Sequence, residues 1–424
     1  MVTGLRRDFS WLLAQQGGTL AAGMVTGALV NRALGPEGRG VYAELQTWVG
    51  LLLALGGLSL ESGIRHFANR ARYGDDSRAR LTTVACVSVS LSLLAALLWG
   101  LVARQWPGLL SPQAAALTAV IALLLALSMT SAHLLVLLQS LGLVRQAAWA
   151  GIVQTLLGAA AIVVAFERRA IDVEFLALWL AALQAFSLFA LAGIAWSRGL
   201  GGGAFSPALA AGMFSAGLRQ HAATVATFIY TRVNQLIVQH QCGAAEAGLF
   251  AVALNLATVA MVLPSTFQTV LYPRVLQADD DFEVTVRSLR LGFYGWGALV
   301  LAIALAARPL LLLYAGGQFL GALPLLRVLL VGAWFLPLSS LVAPYCIKAG
   351  AFTACSLTAV VLALLSMAAN AVLVPRLLGL GAALATSATC CAGFLLALGL
   401  LWRVAGRSPL AFLRLPSPWR TAQP

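Results

Sequence analysis

The chain has 424 residues, 61% of them hydrophobic and 10% charged, with a mean hydropathy of +0.90 and a formal net charge of +13. A soluble domain is about a quarter charged and less than half apolar, so this composition excludes a water-soluble globule, which would lack the polar side chains to cover its surface. In such a chain the positive charge is a topology signal, since arginines gather in cytoplasmic loops, and no nucleic-acid partner is expected.

Apolar runs long enough to cross about 30 Å of hydrocarbon as helices recur at 10–30, 41–64, 81–102, 114–138, 148–166, 175–196, 220–239, 248–271, 289–313, 323–345, 354–374 and 381–402. They are continuous rather than alternating, which predicts α-helical spans and not a transmembrane barrel. With the N-terminus in the cytoplasm, about 18 basic loop residues lie inside against 6 outside, the bias of a chain with both termini inside.

Span one has no small-residue cleavage site after it, so it reads as a retained span rather than a signal peptide. Gln16, Thr19, Gly23 and Thr26 give it a small and polar face. GPEGRGVYA follows at 35–43. Span two closes in the basic stretch ESGIRHFANRAR, 61–72, where Glu61 has Arg65 four residues on, the spacing of a helical ion pair. His133 in span four has no acidic or histidine neighbour at helical spacing and is expected to be a hydrogen-bonded packing residue. After span six, SRGLGGGAFSPALAAGMF breaks any continuous helix. It predicts a linker with a short interfacial helix after Pro207. The chain then divides into a six-helix bundle at 1–200, a cytoplasmic linker at 201–219, a second bundle at 220–402 and a cytoplasmic tail at 403–424.

Span seven contains TFIYTRVNQLIV, 227–238, which places Arg232 near mid-membrane. An arginine there costs about 2.5–3.5 kcal/mol on insertion scales and faces either the bundle interior or a wet cavity. Two readings stand: contact with an anionic substrate, or packing and pairing with Glu44. Thr224, Thr227, Thr231 and Asn234 share one helical face, flanked by Arg232 and Gln235. Asn255, Thr258, Ser265 and Tyr272 form a similar face on span eight. Each stripe faces either water or a neighbouring helix.

GAAEAGLFA, 243–251, repeats the earlier motif: Gly35, Gly40 and Ala43 align with Gly243, Gly248 and Ala251, and Tyr42 with Phe250. Six spans separate the copies, so the halves run parallel, a transporter architecture with its substrate site at the interface of the repeats. The same alignment places Arg65 and Arg274 at the inner mouth, where both suit a phosphate.

LGPEGRGVYA at 34–43, TRVNQLIVQHQCGAAEAGLFAVA at 231–253, LPSTFQTVLYPR at 263–274, GQFLGALPLLRVLL at 317–330 and NAVLVPRLLGLGAALAT at 370–386 together resemble the polysaccharide, or lipid-linked oligosaccharide, flippases of the multidrug/oligosaccharidyl-lipid/polysaccharide (MOP) exporter superfamily. The resemblance covers nearly the whole chain. It implies an all-α polytopic membrane protein of about 12 transmembrane helices in two parallel six-helix repeats around a central cavity, lined chiefly by spans one, two, seven and eight, with alternating access. Many relatives carry an aspartate two residues after the span-seven arginine; here the position is Asn234, which removes one candidate ion-coupling carboxylate.

No phosphate-binding GxxxxGK[ST], HExxH, nucleophile elbow or spaced carboxylate pair occurs, and the loops are too short for a catalytic domain. An enzyme, a cofactor and a metal site are not expected. Cys86, Cys242, Cys346, Cys355, Cys390 and Cys391 form no CxxC pair and read as small buried hydrophobes. The expected function is translocation of an undecaprenyl-pyrophosphate-linked oligosaccharide across a bacterial cytoplasmic membrane. The alternatives are a drug or cation exporter of the same superfamily and a peptidoglycan-precursor flippase. The candidate substrate contacts are Arg232, Asn234, Gln235, Thr231, Asn255, Arg65, Arg274 and Gln16; the expected partners are the lipid-linked oligosaccharide, membrane lipids and polymer-assembly membrane proteins.

Overall fold

A computed structural model describes residues 2–67, 77–262, 264, 267, 275 and 280–413, with side chains from residue 17 onward. Every regular element among them is helical. In chain order they are α1 (Val2–Gly56), α2 (Leu60–Phe67), α3 (Ser77–Gln105), α4 (Pro112–Ala116), α5 (Thr118–Ser140), α6 (Val144–Glu167), α7 (Val173–Ser197), α8 (Pro207–Phe228), α9 (Asn234–Cys242), α10 (Ala244–Val259), α11 (Asp281–Leu305), α12 (Ala307–Ala315), α13 (Ala322–Lys348) and α14 (Phe352–Ala405).

Local chemistry sets several starts. Asp172 accepts a hydrogen bond from the Phe175 amide at 2.7 Å to cap α7, and Asp280 accepts one from the Glu283 amide at 3.1 Å to cap α11. Ser206 caps α8 through the Leu209 amide, with Pro207 as its first helical residue, where a missing N–H costs nothing. α8 then runs unbroken to Phe228. The separate interfacial helix expected after Pro207 is therefore not separate, because a capped helix with no breaker continues into span seven.

Among the described residues, seven helices are long and apolar enough to cross a membrane, or eight when the bent pair Gly17–Gly56 and Leu60–Phe67 counts as one span. α14 alone has 54 residues, about 80 Å at 1.5 Å per residue, over twice the hydrocarbon thickness. It turns at Leu378, whose φ of 54° leaves the helical region, between the expected spans 354–374 and 381–402. α1 likewise combines two expected spans, broken at Gly35 (φ 64°, ψ −178°) and restarted by Pro36. Bulky apolar side chains stand exposed on these helices, among them Leu97, Leu156, Phe189 and Leu305, the surface a bilayer covers. Of the cysteines, Cys346 and Cys390 are buried, Cys242, Cys355 and Cys391 half-buried, and Cys86 exposed; all are free thiols.

The chain forms two compact units: Met1–Gly248 with Tyr314–Gln318, and Leu249–Leu313 with Phe319–Pro424. The first holds several apolar cores. One gathers Leu45, Trp99, Ile121, Leu124 and Ala177 from α1, α3, α5 and α7; another gathers Leu60, Ile64, Leu137, Leu209 and Met213 from α2, α5 and α8. A methyl group at Gly63 would overlap the Met213 carbonyl oxygen, so α2 and α8 meet backbone to backbone, as small residues allow between membrane helices. The second unit packs α11, α13 and α14 around Leu289, Leu338, Leu341 and Phe394, tied by Trp334 Nε1 donating to the Phe293 carbonyl at 2.9 Å and Ser387 Oγ donating to the Val328 carbonyl at 2.7 Å.

Candidate functional site

Span seven is not one helix. α8 passes at Ile229–Val233 into a π turn, and α9 continues it. π turns inside α-helices are rare and recur at functional sites. Arg232 lies in this one, its side chain exposed, with no ion-pair partner among the described residues. The threonine stripe grades along the same helix: Thr224 and Thr227 are exposed, Thr231 half-buried and Asn234 buried. Each threonine hydroxyl donates to the carbonyl four residues back, at 3.2 Å, 2.7 Å and 2.7 Å, which leaves the hydroxyl satisfied whether or not water reaches it. Gln235 is 3% exposed. Its Nε2 donates to the Ala247 carbonyl at 2.9 Å, while Oε1 is buried without a partner. The extra residue of a π turn rotates everything after it by roughly 100° relative to an unbroken helix, and so Asn234 leaves the face that the threonines share.

The two copies of the repeated motif meet. Gly35 (φ 64°, ψ −178°) and Gly243 (φ 87°, ψ 172°) take the same backbone conformation, one that only glycine adopts freely. A methyl group at Gly40 would overlap the Ala244 carbonyl oxygen and stand 2.7 Å from its carbon; one at Gly248 would overlap the Pro36 carbonyl oxygen, again 2.7 Å from its carbon. In the alignment Pro36 corresponds to Ala244 and Gly40 to Gly248, so the contact is reciprocal, each copy offering the other the same glycine and the same carbonyl. Gln235 then ties α9 to α10 beside this seam.

The expected partners of the cations are otherwise engaged. Glu44 is 2% exposed; its Oε1 accepts from the Ser111 amide at 2.9 Å and its Oε2 from the Ser111 hydroxyl at 2.5 Å. It holds Ser111, the residue that caps α4, and does not pair with Arg232. Glu61 and Arg65 are both exposed on α2 and make no ion pair with each other, since two long side chains in water gain little by holding one geometry. Arg39, expected in an outer loop, is 6% exposed with its guanidinium 5.4 Å from the Tyr42 ring centroid. His133 is buried with Nδ1 3.0 Å from Ser88 Oγ, the packing role expected of it. Ser59 Oγ donates to Thr224 Oγ1 at 2.9 Å beside a cavity of about 250 Å³ that Glu61 and His133 also line. Asn255 is half-buried on α10, in the second unit. The Gln16 side chain, Arg274, Ser265 and Tyr272 lie outside the described residues.

Two features had no sequence signal. One is the π turn, a shift of a single residue. The other is a cavity of about 810 Å³ between the second half of α1, the Gln105–Ser111 connection and α9, whose walls come from segments far apart in the chain.

The polysaccharide biosynthesis protein family model matches residues 5–278, more than half of the chain. No curated protein sequence matches it. Among solved structures, an inward-facing multidrug resistance MATE family transporter of the MOP superfamily superposes with a TM-score of 0.67 at 15% identity, over 92% of this chain and 96% of that one. The lipid II flippase MurJ, in an inward closed conformation, does so with a TM-score of 0.67 at 13% identity, over 94% and 89%. A MOP superfamily transporter from Pyrococcus furiosus gives 0.65 at 15%, over 94% and 96%. Helical spans, a repeated glycine motif and this shared architecture agree: the chain belongs to the polysaccharide biosynthesis protein family and has the fold of the MOP superfamily transporters.

Proposed function

We propose that this protein is a flippase that moves an undecaprenyl-pyrophosphate-linked oligosaccharide across the bacterial cytoplasmic membrane by alternating access, with both termini in the cytoplasm. On this reading two six-helix halves, 1–200 and 220–402, enclose a central cavity, and 201–219 links them. The observation that carries it is Arg232: an exposed side chain at a π turn within a span, with no carboxylate partner among the described residues, while Glu44 is held by Ser111. A guanidinium presents a planar fork that bonds phosphate oxygens bidentately. Thr231 flanks it, and Asn234 and Gln235 fix the helix that carries it. Arg65, exposed at the end of α2, collects the headgroup at the inner mouth, with Arg274 and Gln16 beside it; Asn255 contributes from span eight. The lipid tail stays in the bilayer.

With the inside negative, each anionic charge moved outward across the full potential gains about 2.3 kcal/mol per 100 mV. The membrane potential alone then drives export of a pyrophosphate diester. A cation exporter needs free carboxylates along its path; Glu44 is held by Ser111, which leaves Glu61, exposed beside Thr224, as the one the site offers among the described residues.

The test is polymer export in cells lacking the native gene, with Arg232→Ala and Arg232→Lys at matched membrane levels. We expect alanine to abolish export and lysine to restore part of it, as a point charge without the fork. Normal export by the alanine variant would make Arg232 a packing residue and remove the proposed phosphate contact.

A further inference from the structure

Neither Arg232 nor Arg65 lines the 810 Å³ cavity, although Val233, next to Arg232 in the chain, does. Its chemistry differs from theirs. No lysine or arginine contributes to the wall, and its one carboxylate, Glu44, has both oxygens on Ser111. The polar groups left free are Gln105, His240 and Gln241, all exposed and without a hydrogen-bond partner among the described residues, and the buried Gln239, whose Oε1 has no partner among them. Beside them stand two indole rings, Trp48 and Trp106, the latter 63% exposed.

Carboxamides and an imidazole can each both donate and accept hydrogen bonds. A hydroxyl group does the same, so it suits such a set better than a phosphate, which only accepts, or an ammonium, which only donates. The rest of the wall is aliphatic and aromatic, matching a ligand with apolar C–H faces between its hydroxyls. A saccharide has both properties. A bare hydrocarbon chain would leave these four polar side chains without partners, a costly arrangement away from water. The volume falls within the roughly 300–1,000 Å³ of small-molecule sites and admits more than one sugar ring.

We propose that this cavity is a neutral saccharide subsite that holds sugar rings of the translocated headgroup, with Trp106 and Trp48 as stacking faces and Gln105, His240 and Gln241 as hydroxyl partners. The inference rests on the flippase reading and divides recognition in two. Arg232 handles the pyrophosphate that every substrate of this class shares. The neutral cavity meets the sugars that differ between repeat units, and so it selects among them. On the arginine count it opens toward the outer face, where the headgroup arrives.

The experiment is saturation-transfer NMR on the full chain in lipid nanodiscs, with chitotriose, maltotriose and cellotriose as separate probes and octyl phosphate as the amphiphile control. We expect saturation transfer to at least one trisaccharide, weakened about tenfold or more in both Trp106→Ala and Gln241→Ala and unchanged in Arg232→Ala. Gln241 is exposed, so its variant reports on the site where loss of an indole disturbs folding. Transfer to none of the three sugars, or transfer undiminished in both cavity variants, overturns the proposal; so does transfer to octyl phosphate alone, which the phosphate contact at Arg232 accounts for without the cavity. The two readings fail separately. Export lost in Arg232→Ala with no sugar bound removes the saccharide subsite and leaves the flippase, whereas sugar bound with normal export by Arg232→Ala keeps the subsite and removes the proposed phosphate contact.

Discussion

Replacing Gly40 or Gly248 by alanine tests the reciprocal seam most directly. Each added methyl would overlap a carbonyl oxygen of the other copy, with the carbonyl carbon at 2.7 Å and a peptide nitrogen at 3.0 Å or 3.1 Å, well inside the 3.4 Å at which ordinary contact begins. The obstacle is backbone on both sides, so no side chain can swing away and the two segments must separate. Forced overpacking of this kind costs about 1–3 kcal/mol, occasionally more, which at roughly 2–4 °C per kcal/mol for a body of 150–250 residues lowers the melting temperature by several degrees. Gly23 provides the control, since a methyl there meets nothing within 4 Å, and Gly23→Ala is expected to melt with the wild type. The assay is thermal unfolding of detergent-purified protein followed by size-exclusion peak height. Because either methyl alone opens the seam, the double variant is expected to lose less than the sum of the two single losses. Melting temperatures of Gly40→Ala and Gly248→Ala that match Gly23→Ala would refute the close approach of the two copies.

Three further outcomes follow from named contacts. Ser111→Ala deletes the hydroxyl that Glu44 accepts from at 2.5 Å; a hydrogen bond to a charged group contributes about 1.5–3 kcal/mol, and the same thermal assay is expected to show that loss, smaller when Glu44→Gln removes the charge in the same chain. At Gly27 a methyl would stand 2.5 Å from the Tyr314 hydroxyl, the far end of a flexible side chain; Gly27→Ala is expected to destabilise mildly and to recover when Tyr314→Phe removes that oxygen, and no recovery would place the clash elsewhere. Lys348 Nζ lies 3.0 Å from Asp281 Oδ2, the side chains 34% and 26% exposed; a pair this accessible is worth about 0–1 kcal/mol, so Asp281→Asn is expected to shift the melting temperature slightly and less still at high salt.

Much of the architecture was legible because hydrocarbon imposes length and composition on every span. The expected spans 81–102, 148–166, 175–196 and 323–345 each sit inside one helix, and the break between 354–374 and 381–402 brackets the turn at Leu378. The repeated GPEGRG and GAAEAG segments were legible too, as a backbone that must take positive φ and tolerate close approach leaves glycine at fixed spacing. Partner choice was not. Glu44 could be offered to Arg232 only as one of the few acidic residues within the spans, whereas its actual partner, Ser111, lies 67 residues away in a loop with no distinctive pattern. Arg39 read as a loop cation because loop arginines are common, yet it packs over Tyr42 at the turn. Face assignment on span seven failed for a different reason: helical periodicity assumes a constant rotation per residue, and one π turn breaks it without changing a single residue type.

That turn also explains how a buried amide and an exposed cation coexist so close together. In an unbroken α-helix three residues subtend about 300°, so Arg232 would stand roughly 60° from Gln235, on the side that packs against the start of α10. Gln235 is held there by the Ala247 carbonyl, and Gly248, one residue on, is pressed against Pro36; this end of span seven cannot rotate to release the arginine. Inserting one residue into the preceding turn turns the upstream side chains away from the seam instead, and the guanidinium reaches open space while the amide stays buried. The exposed Thr224 and Thr227 lie on the same upstream segment. The repeat that fixes the backbone and the turn that exposes the cation are thus adjacent parts of one arrangement, which holds Arg232 at a position set by packing, with no ion-pair partner among the described residues.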